Sequence, residues 1–99
     1  MIAVADRRDD VRELLQALEA HLGATEELPL EEEANRWLGE AHAVAEDLIG
    51  ADVSDETVAD RVETILELLS EVEEGTGHEE ADEHVAAARR AGQRILDRQ

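Results

Sequence analysis

The sequence predicts an all-α chain folded as an antiparallel, up-down-up-down four-helix bundle. Three observations carry that prediction. Apolar residues recur at seven-residue intervals in four separate stretches, which sets them in one stripe along each helix. Gly or Pro punctuates the chain between those stretches, at Gly23, Pro29, Gly50, Gly75 and Gly77. No stretch shows the period-two alternation of a strand, and short connections favour antiparallel neighbours. The 99 residues make a single domain, 1–99.

The first helix is expected within about residues 3–22, on a stripe of Val11, Leu14, Leu15, Leu18 and Leu22. Gly23 is its expected stop. The second spans about 30–49, with Pro29 suited to a first turn and Glu31, Glu32 and Glu33 at the positive end of the dipole. Its buried face reads Ala34, Trp37, Leu38, Ala41, Val44, Ala45 and Leu48, and Gly39 is expected to permit a close helix contact or a gap for Trp37.

The third helix, about 55–74, is the expected organiser. Val58, Val62, Ile65, Leu69 and Val72 form its stripe, and Leu66 and Leu68 widen it to about half the circumference. Ser54 suits the N-cap, with Val53 and Val58 placed for a hydrophobic staple. Truncating Leu69 should therefore cost more than truncating Leu22, which stands beside an expected helix end. The fourth helix, about 79–97, carries Ala81, Val85, Ala88, Gly92, Ile95 and Leu96 on one face, mostly small enough for close approach.

Charge is the dominant compositional signal. Asp and Glu number 27 against 9 basic residues, all Arg, for a net charge of −18. There is no Cys, Phe or Tyr, and one Trp. Lack of Cys excludes disulfides, thiolate metal sites and Cys nucleophiles. No apolar run approaches the ~20 residues of a membrane span. The start, MIAVADRRDD, has no basic segment followed by an apolar one, so a cytoplasmic location is expected. Excess carboxylate without Lys suits a high-salt cytoplasm, where screening removes the repulsion between surface acids.

The charge is unevenly spread. Residues 1–12 balance Arg7, Arg8 and Arg12 against Asp6, Asp9 and Asp10, and residues 89–99 set four Arg against Asp97. An antiparallel bundle brings these two segments to one end, where Arg90, Arg94 and Arg98 can pair with Asp6, Asp9, Asp10 and Glu13. No aromatic platform or basic stripe accompanies them, so nucleic acid is not an expected partner.

Three chemical constellations are conceivable. The same topology brings His21 to His84, with Glu80 one turn before His84, as a candidate metal site. The Glu-x-x-His signature of di-iron bundles is missing, and no cofactor is expected. Glu71 with Glu74, Glu79 with Asp82 and Glu80 with Glu83 have i, i+3 spacing. These resemble the ExxE and ExxD pairs of all-α, magnesium-dependent nucleotide pyrophosphohydrolases of the MazG type. In that family the pairs sit inside separate helices, whereas here they flank a turn, so no residue is carried over. Trp37, Val44, Leu66 and Leu68 flank the stripes of the second and third helices and are the candidate interface of a homodimer.

The stretches ANRWLGEAHAVAEDL (34–48) and EEADEHVAAA (79–88) resemble those of small acidic helical proteins of halophilic archaea, a resemblance that implies no activity. The leading expectation is a non-enzymatic interaction or scaffold bundle whose further protein partner is unspecified. The alternative is a divalent-metal-dependent hydrolase built on a Glu/Asp/His cluster.

Overall fold

The computed structural model describes residues 7–98, with side chains from Asp10 to Arg98. Four helices follow one another: α1 (Arg7–Thr25), α2 (Glu32–Gly50), α3 (Asp55–Ser70) and α4 (Glu79–Asp97). Each packs on the next in chain order, α1 closes the ring on α4, and the diagonal pairs stay apart. His21 meets His84 near one end of the α1–α4 seam, and Asp10 meets Arg98 near the other. The two helices are therefore antiparallel, and the bundle runs up-down-up-down within extents of 49 × 23 × 20 Å. The end where α1 finishes is called the upper end below, and the end where it begins the lower.

The stripes read from the sequence form the core. Leu18 and Leu22 of α1, Leu38 of α2, Val62, Ile65 and Leu69 of α3 and Ile95 of α4 are fully buried. Ala41, Ala45 and Ala88 fill the narrower levels. Gly92 makes the closest approach: a Cβ there would lie 2.9 Å from Leu66 Cδ2 and 3.6 Å from Val62 Cγ1. The small-residue face of α4 thus lets α3 lean in, and Leu66 is seated against it. Among the described residues no helix is long and apolar enough to cross a membrane.

Several boundaries differ from expectation, each for a reason the structure shows. The expected positions 3–6 of the first helix lie outside the described residues. At its other end α1 runs through Gly23 to Thr25, and the Thr25 hydroxyl donates to the Leu22 carbonyl at 2.6 Å. Gly23 faces the side chain of His42, so its missing Cβ serves a helix contact. Leu22 is consequently fully buried inside a continuing helix, not relaxed at its end.

α2 begins at Glu32 with Glu31 as N-cap, leaving Pro29 in the connection. Glu31 N–H donates across to the Thr76 carbonyl at 3.4 Å, a bond no local pattern announces. Nothing approaches within 4 Å of a Cβ built on Gly39, so it marks open space and no close contact.

α3 starts where expected, with the Ser54 hydroxyl accepting from Thr57 N–H at 3.2 Å. Its last regular residue is Ser70; residues 71–74 continue as tighter turns, with Glu71, Val72 and Glu73 N–H each bonded three residues back. Val72 stays buried through that change, so the stripe outlasts the helix. Gly75 and Gly77 then take positive φ values of 114° and 85°, which only glycine adopts without strain.

Candidate functional site

Polar groups cluster at the upper end, around the finish of α1. The largest cluster centres on His42 of α2, whose ring is almost wholly buried against α1. Its Nε2 lies 2.7 Å from Glu19 Oε2 and its Nδ1 2.8 Å from Glu26 Oε1. Glu46, one turn further along α2, adds a carboxylate 3.5 Å from Nδ1. A carboxylate only accepts, so both ring nitrogens carry protons in this arrangement and the ring is an imidazolium. Gly23 makes the space, since a Cβ there would stand 3.1 Å from His42 Nε2. Burial pulls the His42 pKa down. Hydrogen bonds that its ring donates to Glu19 and Glu26, with the charges of Glu26 and Glu46, outweigh that and hold it above the ordinary 6.5.

The second cluster joins α1 to α4. His21 Nδ1 lies 3.1 Å from His84 Nδ1, with the rings 5.3 Å apart and tilted by 41°. One nitrogen must donate and the other accept, so at least one ring is neutral. Burial, then His84 and Arg90, lower the pKa of His21. Glu80 stands on the far side of His84, 3.9 Å from Nε2. The fold therefore brings His21 and His84 together, but it sets Glu80 against the nitrogen that points away from His21. Among the described residues no three His, Asp or Glu side chains converge to hold a metal ion.

The third cluster closes the connection from α3 to α4. Thr76 is fully buried, and its N–H and hydroxyl both point at Asp82 Oδ1, at 2.7 and 2.9 Å. The same hydroxyl accepts from His78 N–H at 3.2 Å. Asp82 is thereby engaged in fixing a turn. Its i, i+3 spacing to Glu79 reflects the acidic first turn of α4. Beside it lies a cleft of about 280 Å³ reaching Glu73 and Arg89, which approach each other to 4.0 Å.

Two apolar surfaces complete the inventory. On the α2–α3 flank, Trp37, Val44, Leu66 and Leu68 are all half-buried against the core. Leu66 is occupied by Gly92, and the Arg36 guanidinium lies 5.2 Å over the Trp37 ring. The Trp37 indole nitrogen is enclosed with no hydrogen-bond partner. At the lower end, a groove of about 630 Å³ opens between α1 and the α2–α3 connection. Val53, expected to staple onto Val58, stands 38% exposed on its wall.

At that lower end the expected Arg–carboxylate pairing is realised by Arg98 and Asp10, at 3.6 Å. The side chains of Asp6 and Asp9 lie outside the described residues.

His42 was the residue that sequence reasoning passed over. Its signal was available: it stands four residues after Leu38 and three before Ala45, on the buried face itself. A histidine on that face needs polar partners, and Glu46 is one turn away. Glu19 and Glu26 could be assigned only once α1 was known to continue past Gly23.

The two histidine clusters titrate in opposite senses. For His42 the folded pKa is raised, so its stabilisation is complete below 6.5 and is lost as pH rises through the higher folded value. For His21 it is lowered, so the unfolded chain binds the extra proton and stability falls as pH drops below 6.5. The His42 contribution should make the thermal midpoint decline on the alkaline side. The variant His42→Gln should lack that alkaline decline, as read by circular dichroism melts between pH 6 and 9.

A family model described as a domain of unknown function, DUF8152, matches residues 14–99. The chain belongs to that family. Neither a curated protein nor a solved structure matches it.

Proposed function

We propose that this member of the DUF8152 family is a non-enzymatic interaction bundle that works as a homodimer in a high-salt cytoplasm. One observation carries the reading. The polar clusters join helices and fix a turn, while large apolar side chains, Ile49 and Val53, stand open at the surface. A contiguous exposed apolar patch marks an interaction surface, and Ile49 and Val53 stand together on the wall of one groove. A 99-residue core without Phe or Tyr also gains from covering them. The half-buried flank of Trp37, Val44, Leu66 and Leu68 is one candidate face for the contact. The acidic surface and the lack of Lys support the high-salt setting.

Light scattering in molar KCl tests the reading. A mass of two chains at micromolar concentration is expected. A mass of one chain across that range would refute self-association.

A further inference from the structure

The lower-end groove has the features of a surface made to meet its own copy. Its floor is apolar, with Leu15, Leu48 and Val58 buried beneath it. Ile49, 42% exposed, and Val53 stand on its wall as projecting apolar groups. A projection and a hollow on the same patch are what a two-fold interface requires, because each copy must offer both.

Charge narrows the choice of occupant. Arg12 lines one side of the groove, and Asp52 and Asp55 line the other. No ion pair within the chain engages any of the three, among the described residues. A wholly acidic or wholly basic partner would meet one wall of like sign. A second copy turned by half a revolution can present its acids to Arg12 and its Arg12 to the acids.

The rest of the molecule argues the same way. At −18 overall, two copies repel each other over most of their surface. The repulsion is eased where α1 begins and α4 ends, since the last turns of α4 set Arg94 and Arg98 against Asp97, and α1 sets Arg12 beside Asp10. The Arg98–Asp10 contact places these turns together at the lower end.

We propose that two copies of this chain associate two-fold through this groove. Ile49 and Val53 of each copy enter the hollow of the other, and Arg12 of each meets Asp52 or Asp55 of the other. The proposal rests on the self-association reading and relocates its interface from the α2–α3 flank to the lower end.

The experiment is sedimentation or light scattering of the full chain at moderate salt, where charge pairs still count. Ile49→Glu and Val53→Glu change exposed side chains and should each weaken the dimer roughly tenfold or more. Leu68→Glu, on the other flank, should leave it intact. Arg12→Asp should weaken the dimer, and adding Asp52→Arg with Asp55→Arg should restore it. A wild-type chain that stays monomeric both at moderate salt and in molar KCl overturns self-association itself. A dimer that survives Ile49→Glu and Val53→Glu but breaks with Leu68→Glu keeps that reading and overturns this surface. A monomer that dimerises only when residues 1–5 are removed would show that the chain's own first residues fill the groove, which also overturns the proposal.

Discussion

Raising KCl from about 10 mM to 1 M is expected to lift the thermal midpoint by some tens of degrees. The reason is the reach of each charge relative to the molecule. At about 10 mM salt the Debye length is ~30 Å, longer than the 23 Å and 20 Å widths of the bundle, so carboxylates repel across the whole cross-section. At 1 M it is ~3 Å, and only adjacent groups still interact. Compensation within the chain is thin. Among the described residues the Arg pairs are Arg89–Glu73 at 4.0 Å and Arg98–Asp10 at 3.6 Å, both at the surface. Exposed pairs at such distances contribute ~0–1 kcal/mol. In a domain of this size each kcal/mol moves the midpoint by roughly 4–8 °C, so relief of a few kcal/mol of repulsion suffices. Melts across a KCl series, read by circular dichroism, check this. A midpoint flat over the series would contradict it.

Leu69→Ala and Leu22→Ala should each lose about 2–5 kcal/mol in a denaturant titration. Both side chains are fully buried, one on α3 and one on α1. Truncation leaves a cavity that neighbours fill only in part, and the neighbours here are packed against α4 and α2 as well. Reasoning from Gly23 as a helix stop had assigned Leu22 the smaller loss. The continuation of α1 to Thr25 removes that distinction. Set against a total of about 5–15 kcal/mol for a typical domain, either change threatens folding at low salt. A loss under about 1 kcal/mol at Leu22 would mean that the upper part of α1 packs loosely.

The fold was legible because apolar spacing reports which side of a helix is buried, and that depends only on the helix itself. α4, with a full acidic first turn and the two glycines before it, came out with its bounds as expected. Two of the misplaced ends share another cause. The start of α2 is set beside the Thr76 carbonyl, and the finish of α1 by a histidine on α2, so each depends on residues distant in sequence. The candidate site was legible in part for the same reason. Topology alone brings His21 to His84. Topology could not say that Glu80 would face the wrong nitrogen, or that a glycine expected to end a helix would make room for a ring. The lower-end groove was missed because α1 and the α2–α3 connection line it together, and only the fold brings them side by side.

The seating of His42 also decides which alignment of α1 and α2 the chain accepts. Stripes of Leu and Ala on two helices pack almost as well after sliding by one turn, since apolar contact has little direction. The ring does not tolerate the slide. It needs a carboxylate on each side and a residue without a side chain between them, and α1 with the turn that follows it offers Glu19, Gly23 and Glu26 in that order. Shifted by a turn, the ring would face Glu19 or Glu27 where it now has Gly23, and it would lose the room and one of the carboxylates it now has. A core of small, interchangeable aliphatics leaves helix register underdetermined, and one protonated ring supplies the missing instruction.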